Sequence, residues 1–224
     1  MPAYRNGPVS WNVRRQMQPP LDSPLVFADL ADAHATLFAS RRSPREVRRA
    51  FVRFVDLTQK LTSAMRKDFS KLGRGKWEAA SFSGWTPVTE LLKHLRNEDQ
   101  HGNQIYISVH ERRYFPVPEN LPVGFARPPS NNFVFEGTWE LTDQLLEDPP
   151  EGIETFEINP MTGQPTGRPM PLLKLERFYI LQARSERNRE LIAVAGLIDV
   201  HDISAAAFAT LGEYHAHFRR EADA

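Results

Sequence analysis

Apolar residues recur along this chain with two different periods, and the change of period divides it. From Ser23 to Gly102 the spacing is helical. Ser23 as cap and Pro24 at the first position lead into Leu25, Phe27, Leu30 and Leu37, which predicts a first helix with His34 beside the stripe as a packing residue. Ser43 and Pro44 open a second, longer helix in which Val47, Phe51, Phe54, Thr58, Leu61 and Met65 alternate steps of four and three, with Leu72 beyond them. Such a seam packs against other helices or against a second copy of the chain. The stretch from Thr86 to Asn103 is specified at both ends: Thr86 is a cap residue, Pro87 suits the first turn, and Gly102 fits the left-handed position that closes a helix. Val88, Leu91, Leu92 and Leu95 give it a core face.

Beyond Gly102 the period shortens. Ile105, Ile107 and Val109 alternate with polar residues, as do Phe133 and Phe135, which predicts strands. Eleven of the 18 prolines lie between Pro116 and Pro171, so edge strands and loops are expected there, with Asn159-Pro160-Met161-Thr162-Gly163 as a hairpin turn. Lys174 to Leu181 and Leu191 to Ala195 read as two further strands across a charged turn, with helix as the alternative for either, since short apolar runs do not settle the period. Asp202 or Ser204 caps a last helix whose face is Ala207, Leu211, Tyr214 and Phe218. The expectation is an α+β protein: a proline-rich arm over 1–22, then a single two-lobed domain over 23–224. That domain has a helical part (23–102), an irregular antiparallel β-rich part (103–200) and a C-terminal helix (201–224).

Composition narrows the chemistry. The 28 basic and 28 acidic residues cancel, so nucleic acid is attracted through a local patch or not at all. The absence of cysteine removes disulfides, thiolate nucleophiles and cysteine-ligated metals, and suits a cytoplasmic setting. No apolar run approaches the roughly 20 residues that span a bilayer, so no membrane association is expected. No phosphate-binding loop, Rossmann glycine fingerprint, nucleophile elbow or H-E-x-x-H pair is present. His215 and His217 point about 200° apart on a helix, so no metal and no other cofactor is expected.

Two groups of side chains remain. On the second helix Arg45, Arg49 and Arg53 lie four apart opposite the seam; the stripe is a solvated face or a set of phosphate contacts for RNA. On the third helix Glu90, His94, Asn97 and His101 share one side, with Arg96 beside them. The run Arg96-Asn97-Glu98-Asp99-Gln100-His101 resembles the R-polar-x3-H motif of the HEPN (higher eukaryotes and prokaryotes nucleotide-binding) families. That resemblance implies a dimeric, metal-independent endoribonuclease, in a toxin–antitoxin or phage-defence setting, with Arg96, Asn97 and His101 catalytic and Glu90 and His94 auxiliary. Its expected partners are RNA, a protein partner or antitoxin, and a second copy in a homodimer. The alternative is a non-catalytic binding or assembly protein with a helical interaction surface.

Overall fold

The computed structural model describes residues 20–39, 44–101, 105–116, 132–141, 156–158, 162, 164–169 and 173–224. The chain is α+β. Helices α1 (Ser23–Ala39), α2 (Pro44–Lys71) and α3 (Pro87–Gln100) come first. Strands β1 (Tyr106–Pro116), β2 (Asn132–Leu141), β3 (Phe156–Ile158), β4 (Pro165–Pro169) and β5 (Lys174–Gln182) follow, then α4 (Glu186–Ala195) and α5 (Val200–Asp223). Residues 1–19 of the arm expected over 1–22, the caps at Ser43 and Gly102, and most of the Asn159–Gly163 turn lie outside the described residues. Among the described residues, no helix is long and apolar enough to cross a membrane.

The long seam of α2 is the core of the helical part. Val47, Phe51, Phe54, Leu61 and Met65 are fully buried, Thr58 nearly so and Leu72 half so. The partners that cover α2 are α1, α3 and α5. The seam therefore packs within one chain, and any contact with a second copy must use other surfaces. On α5 the face Ala207, Leu211, Tyr214, Phe218 is buried as its spacing requires. Tyr214 keeps its hydroxyl satisfied by accepting a hydrogen bond from Trp77 Nε1 at 2.8 Å, which lets both large rings sit in the core.

The start of α1 is capped differently from the expectation. Ser23 is already helical, and the acceptor for the first backbone N–H groups comes from α2: Asp68 takes bonds from the N–H of Asp22 at 2.9 Å and of Ser23 at 2.7 Å. A carboxylate at a helix N-terminus meets unpaired donors and the positive end of the dipole together. Burial alone raises the Asp68 carboxyl, but these bonds and nearby Lys71 hold it below the ordinary aspartate value. They also join the first residues of α1 to the last turns of α2, so the two helices run antiparallel.

Helix α3 forms as its sequence predicts. Thr86 Oγ1 accepts from the Thr89 N–H while Thr89 Oγ1 accepts from the Thr86 N–H, a reciprocal capping box. Val88, Leu91, Leu92 and Leu95 are buried.

Strands β1, β2 and β5 make an antiparallel sheet in the order β2-β1-β5, and β3 pairs with β4. Ile107 and Val109 face Leu181 and Tyr179 across the β1–β5 pair and are buried with them. One register step further on the same face, Glu111 is 2 % exposed and paired with Arg113 at 2.8 Å and Arg177 at 2.5 Å. The segment 191–195 is helical, not a strand. Ser185 caps α4, Gly196 closes it at φ 67°, and burial is one-sided: Asn188 and Leu191 are covered while Val194 is exposed, the period of a helix on a surface. The cap of α5 is Asp199, not Asp202 or Ser204. Its carboxylate accepts from the N–H of His201 at 2.8 Å and of Tyr179 at 2.9 Å, and so fastens α5 to β5.

Replacing Asp68 by alanine leaves two helix-start donors, the buried Ser23 N–H and the half-buried Asp22 N–H, without this acceptor, so Asp68→Ala is expected to cost on the order of 1–3 kcal/mol. Chemical denaturation measures this. Because the folded-state carboxyl is held down, its contribution is present at neutral pH and is lost as the pH falls through that lowered value, below the ordinary 3.8; the variant therefore loses less stability than the wild type in that acid range. Glu111→Ala removes the acceptor shared by Arg113 and Arg177 and is expected to cost on the order of 1–3 kcal/mol by the same measurement.

Candidate nucleic-acid interface on α2 and α3

Because the α2 seam faces inward, its polar side must face water, and Arg45, Arg49 and Arg53 are exposed there. Asp56 and Lys60 continue the stripe at steps of three and four, so all five residues fall within about 80° of arc. Asp56 sits among the cations as an acceptor, 2.5 Å from Lys60. It is also where α3 joins the stripe: Arg96 Nε lies 3.9 Å from Asp56 Oδ1. The arginine of the R-N-x3-H run thus stands at the foot of the α2 stripe, where Lys60 and Arg96 share the Asp56 carboxylate and Arg53, Arg49 and Arg45 lead away from it along α2.

His101 occupies a different side of α3. Five residues at about 100° each turn it roughly 140° from Arg96. It is the C-cap residue, its N–H is bonded to the carbonyls of Asn97 and Glu98, and both His101 and Asn97 are exposed. Within one chain Arg96 and His101 are therefore not brought together. Glu90 and His94 share the His101 side, and there the helix meets α4. Glu90 accepts from Arg187 at 2.6 Å, which more than any other group holds its carboxyl below the usual range, and His94 Nε2 lies 3.8 Å from Glu90. One turn on, Glu98 accepts from Asn188 Nδ2 at 2.8 Å. These side chains hold α4 on α3.

A cleft of about 410 Å³ opens beside the last turn of α3, between Leu95, Glu98, Tyr106 and Gln182, and Arg184 lies over the Tyr106 ring at 3.7 Å. A stacked guanidinium and phenol next to a polar wall suit a planar ligand. Sequence reasoning missed this pair, because no local signal links residues so far apart in the chain. Among the described residues, no group of three or more histidine, aspartate and glutamate side chains is placed to share a metal ion.

Comparison with known proteins finds no matching family model, no matching curated protein and no matching solved structure.

The geometry separates side chains that hold the fold from those free to meet a ligand. Asn188 is fully buried and bridges α4 to α3, so Asn188→Ala is expected to cost about 1–2 kcal/mol. His101→Ala, at an exposed helix end, is expected to change stability by less than about 0.5 kcal/mol. Thermal denaturation of the two variants side by side checks the contrast.

Proposed function

We propose that the protein binds RNA through the basic surface of α2 and α3, and that the R-N-x3-H run makes it a metal-independent endoribonuclease of the HEPN-like kind. The observation that carries this reading is the contact of Arg96 with Asp56, which puts the motif's arginine on the same surface as Arg45, Arg49 and Arg53. Phosphates tracking the α2 stripe lead to Arg96. In the cleavage step a ribose 2′-hydroxyl attacks the adjacent phosphorus and the 5′-oxygen leaves, giving a 2′,3′-cyclic phosphate and a 5′-hydroxyl. Histidine exchanges protons near neutral pH, and His101 serves this step as general acid or base. Arg96 stabilises the charge on the five-coordinate phosphorus, and Asn97 orients the reacting groups. Since one chain holds Arg96 and His101 on different sides of α3, the complete site takes Arg96 from one copy and His101 from another. A cytoplasmic toxin or phage-defence nuclease restrained by a protein antitoxin is the setting this activity fits.

A second reading draws on the same residues. Glu90, His94 and Glu98 contact each other or α4, and Arg96 contacts Asp56. This is what a non-catalytic binding or assembly protein with a helical interaction surface requires.

Two experiments separate the readings. Arg45→Gln, Arg49→Gln and Arg53→Gln together are expected to weaken single-stranded RNA binding for all sequences alike. They should also flatten its salt dependence by about two in the log–log slope, since each lost phosphate contact on a single strand removes roughly 0.7. Asp56→Asn, which removes the carboxylate that Lys60 and Arg96 share, is expected to tighten binding. Unchanged affinity in both variants assigns the stripe to solvent. For catalysis, His101→Ala and Arg96→Ala are each expected to lower cleavage of a single-stranded RNA panel by about 10²- to 10⁴-fold, with cyclic phosphate ends on the wild-type products and full activity in EDTA. Mixing the two inactive variants is expected to restore a part of the activity, because the mixed dimer contains one intact Arg96–His101 pair. A wild-type protein that leaves RNA intact supports the binding-module reading instead.

A further inference from the structure

The contact between α1 and α5 is lined by a ladder of rings in which three of the members are histidines. His215 stacks on Phe27 at 4.6 Å, Phe27 on Phe208 at 5.8 Å, and Phe208 on His34 at 4.5 Å. His34 then meets Phe38 at 4.8 Å, Phe38 meets His201 at 5.3 Å, and His201 reaches Tyr179 of β5 at 5.5 Å. The rungs come from α1 and α5 in near alternation, so the two helices are held together through imidazole faces. In all three histidines the Nε2 atom is buried and has no hydrogen-bond partner among the described residues.

We propose that this ladder is an acid-sensitive latch: protonation of His34 and His215 releases α1 from α5 while α1 stays held on α2. A neutral imidazole tolerates one bare ring nitrogen, because that nitrogen carries no hydrogen and leaves only an acceptor unused. An imidazolium carries a hydrogen on each nitrogen, and a buried N–H with no acceptor loses its hydration without compensation. The surroundings decide which ring suffers most. His201 has an anion beside it, since its Nδ1 lies 3.1 Å from Asp199 Oδ1. His34 is flanked by Phe38 of its own helix, Phe54 of α2 and Phe208 of α5. Among the described residues, the charged group that acts on His34 is His201, and the one that acts on His215 is Arg219. Burial first, and these like charges second, push both rings below the ordinary histidine value of 6.5.

The released state therefore binds protons more tightly than the latched one. Latch stability is complete above 6.5 and weakens as the pH falls through 6.5 toward the lowered values. The tie between α1 and α2 survives in that window. Asp68, which accepts from the first N–H groups of α1, has its carboxyl held below 3.8 and stays ionised. Asp199 likewise stays ionised on the α5 side, because the bonds from His201 and Tyr179 outweigh the burial that would raise it.

The chain has no cysteine, so two labels are placed without background. Ala35→Cys on α1 and Ala209→Cys on α5, both exposed positions, report the α1–α5 distance by spin labelling. Ala35→Cys with Ser63→Cys on α2 is the control pair. Between pH 7.5 and 5.5 the α1–α5 distribution is expected to gain a longer population while the control pair holds. In a His34→Phe/His215→Phe background the longer population is expected to be absent. An α1–α5 distance that stays fixed, an equal change in the double variant, or a change in both pairs overturns the proposal. Should the double variant fail to fold, proton titration of the wild-type rings by NMR decides: midpoints for His34 and His215 below 6.5 support the latch, and midpoints at or above 6.5 overturn it.

Discussion

Val47, Phe51, Phe54, Leu61 and Met65 must leave water together, and the rest of the structure follows from how that is done. Each is worth about 1.5–3 kcal/mol when fully buried, and all five lie on one side of a 28-residue helix. No single neighbour covers a stripe of that length, so α1, α3 and α5 share it. Once the seam is fixed inward, the orientation of α2 is fixed too. The arginines opposite the seam then face water, and α3, packed on another part of α2, brings Arg96 to the edge of their stripe. The basic surface is thus a consequence of core packing, not a separate device.

The β-rich part is attached to this core by polar caps as much as by apolar contact. Asp199 both starts α5 and receives the Tyr179 N–H, so the last helix and the edge strand of the sheet share one carboxylate. Asp68 does the same for α1 and α2. A buried cap of this kind ties two elements in a defined register, which an apolar contact of equal strength does not. Among the described residues, the ring ladder between α1 and α5 has no such carboxylate paired with His34 or His215, and the proposed latch rests on that difference.

The parts of the fold legible in the sequence are those set by local pattern. Thr86-Pro87 and the leucine spacing define α3, and the four-three steps define the α2 seam, because period and caps act within a few residues. What escaped was decided at long range. Ser23 looks like a cap, yet the acceptor is Asp68, 46 residues away from Asp22. Leu191 to Ala195 is a short apolar run with no period of its own, and only Ser185 and Gly196 at its ends, together with α3 as a partner, make it a helix. For the candidate site, the arginine stripe and the R-N-x3-H run were visible as patterns. Their meeting at Asp56, and the Arg184–Tyr106 cleft, depend on packing between distant segments and carry no local signal.

The central claim is that the exposed side of α2 and the Arg96 side of α3 form one surface for RNA. The most direct measurement is photo-crosslinking of the wild-type protein to 4-thiouridine-substituted single-stranded RNA, with the attachment sites mapped by mass spectrometry. The account predicts adducts in the stretch Arg45 to Lys60 and in the α3 segment containing Arg96, both competed away by unlabelled RNA. Adducts confined to the β-rich part, or none at concentrations where a general RNA-binding protein is labelled, would contradict it.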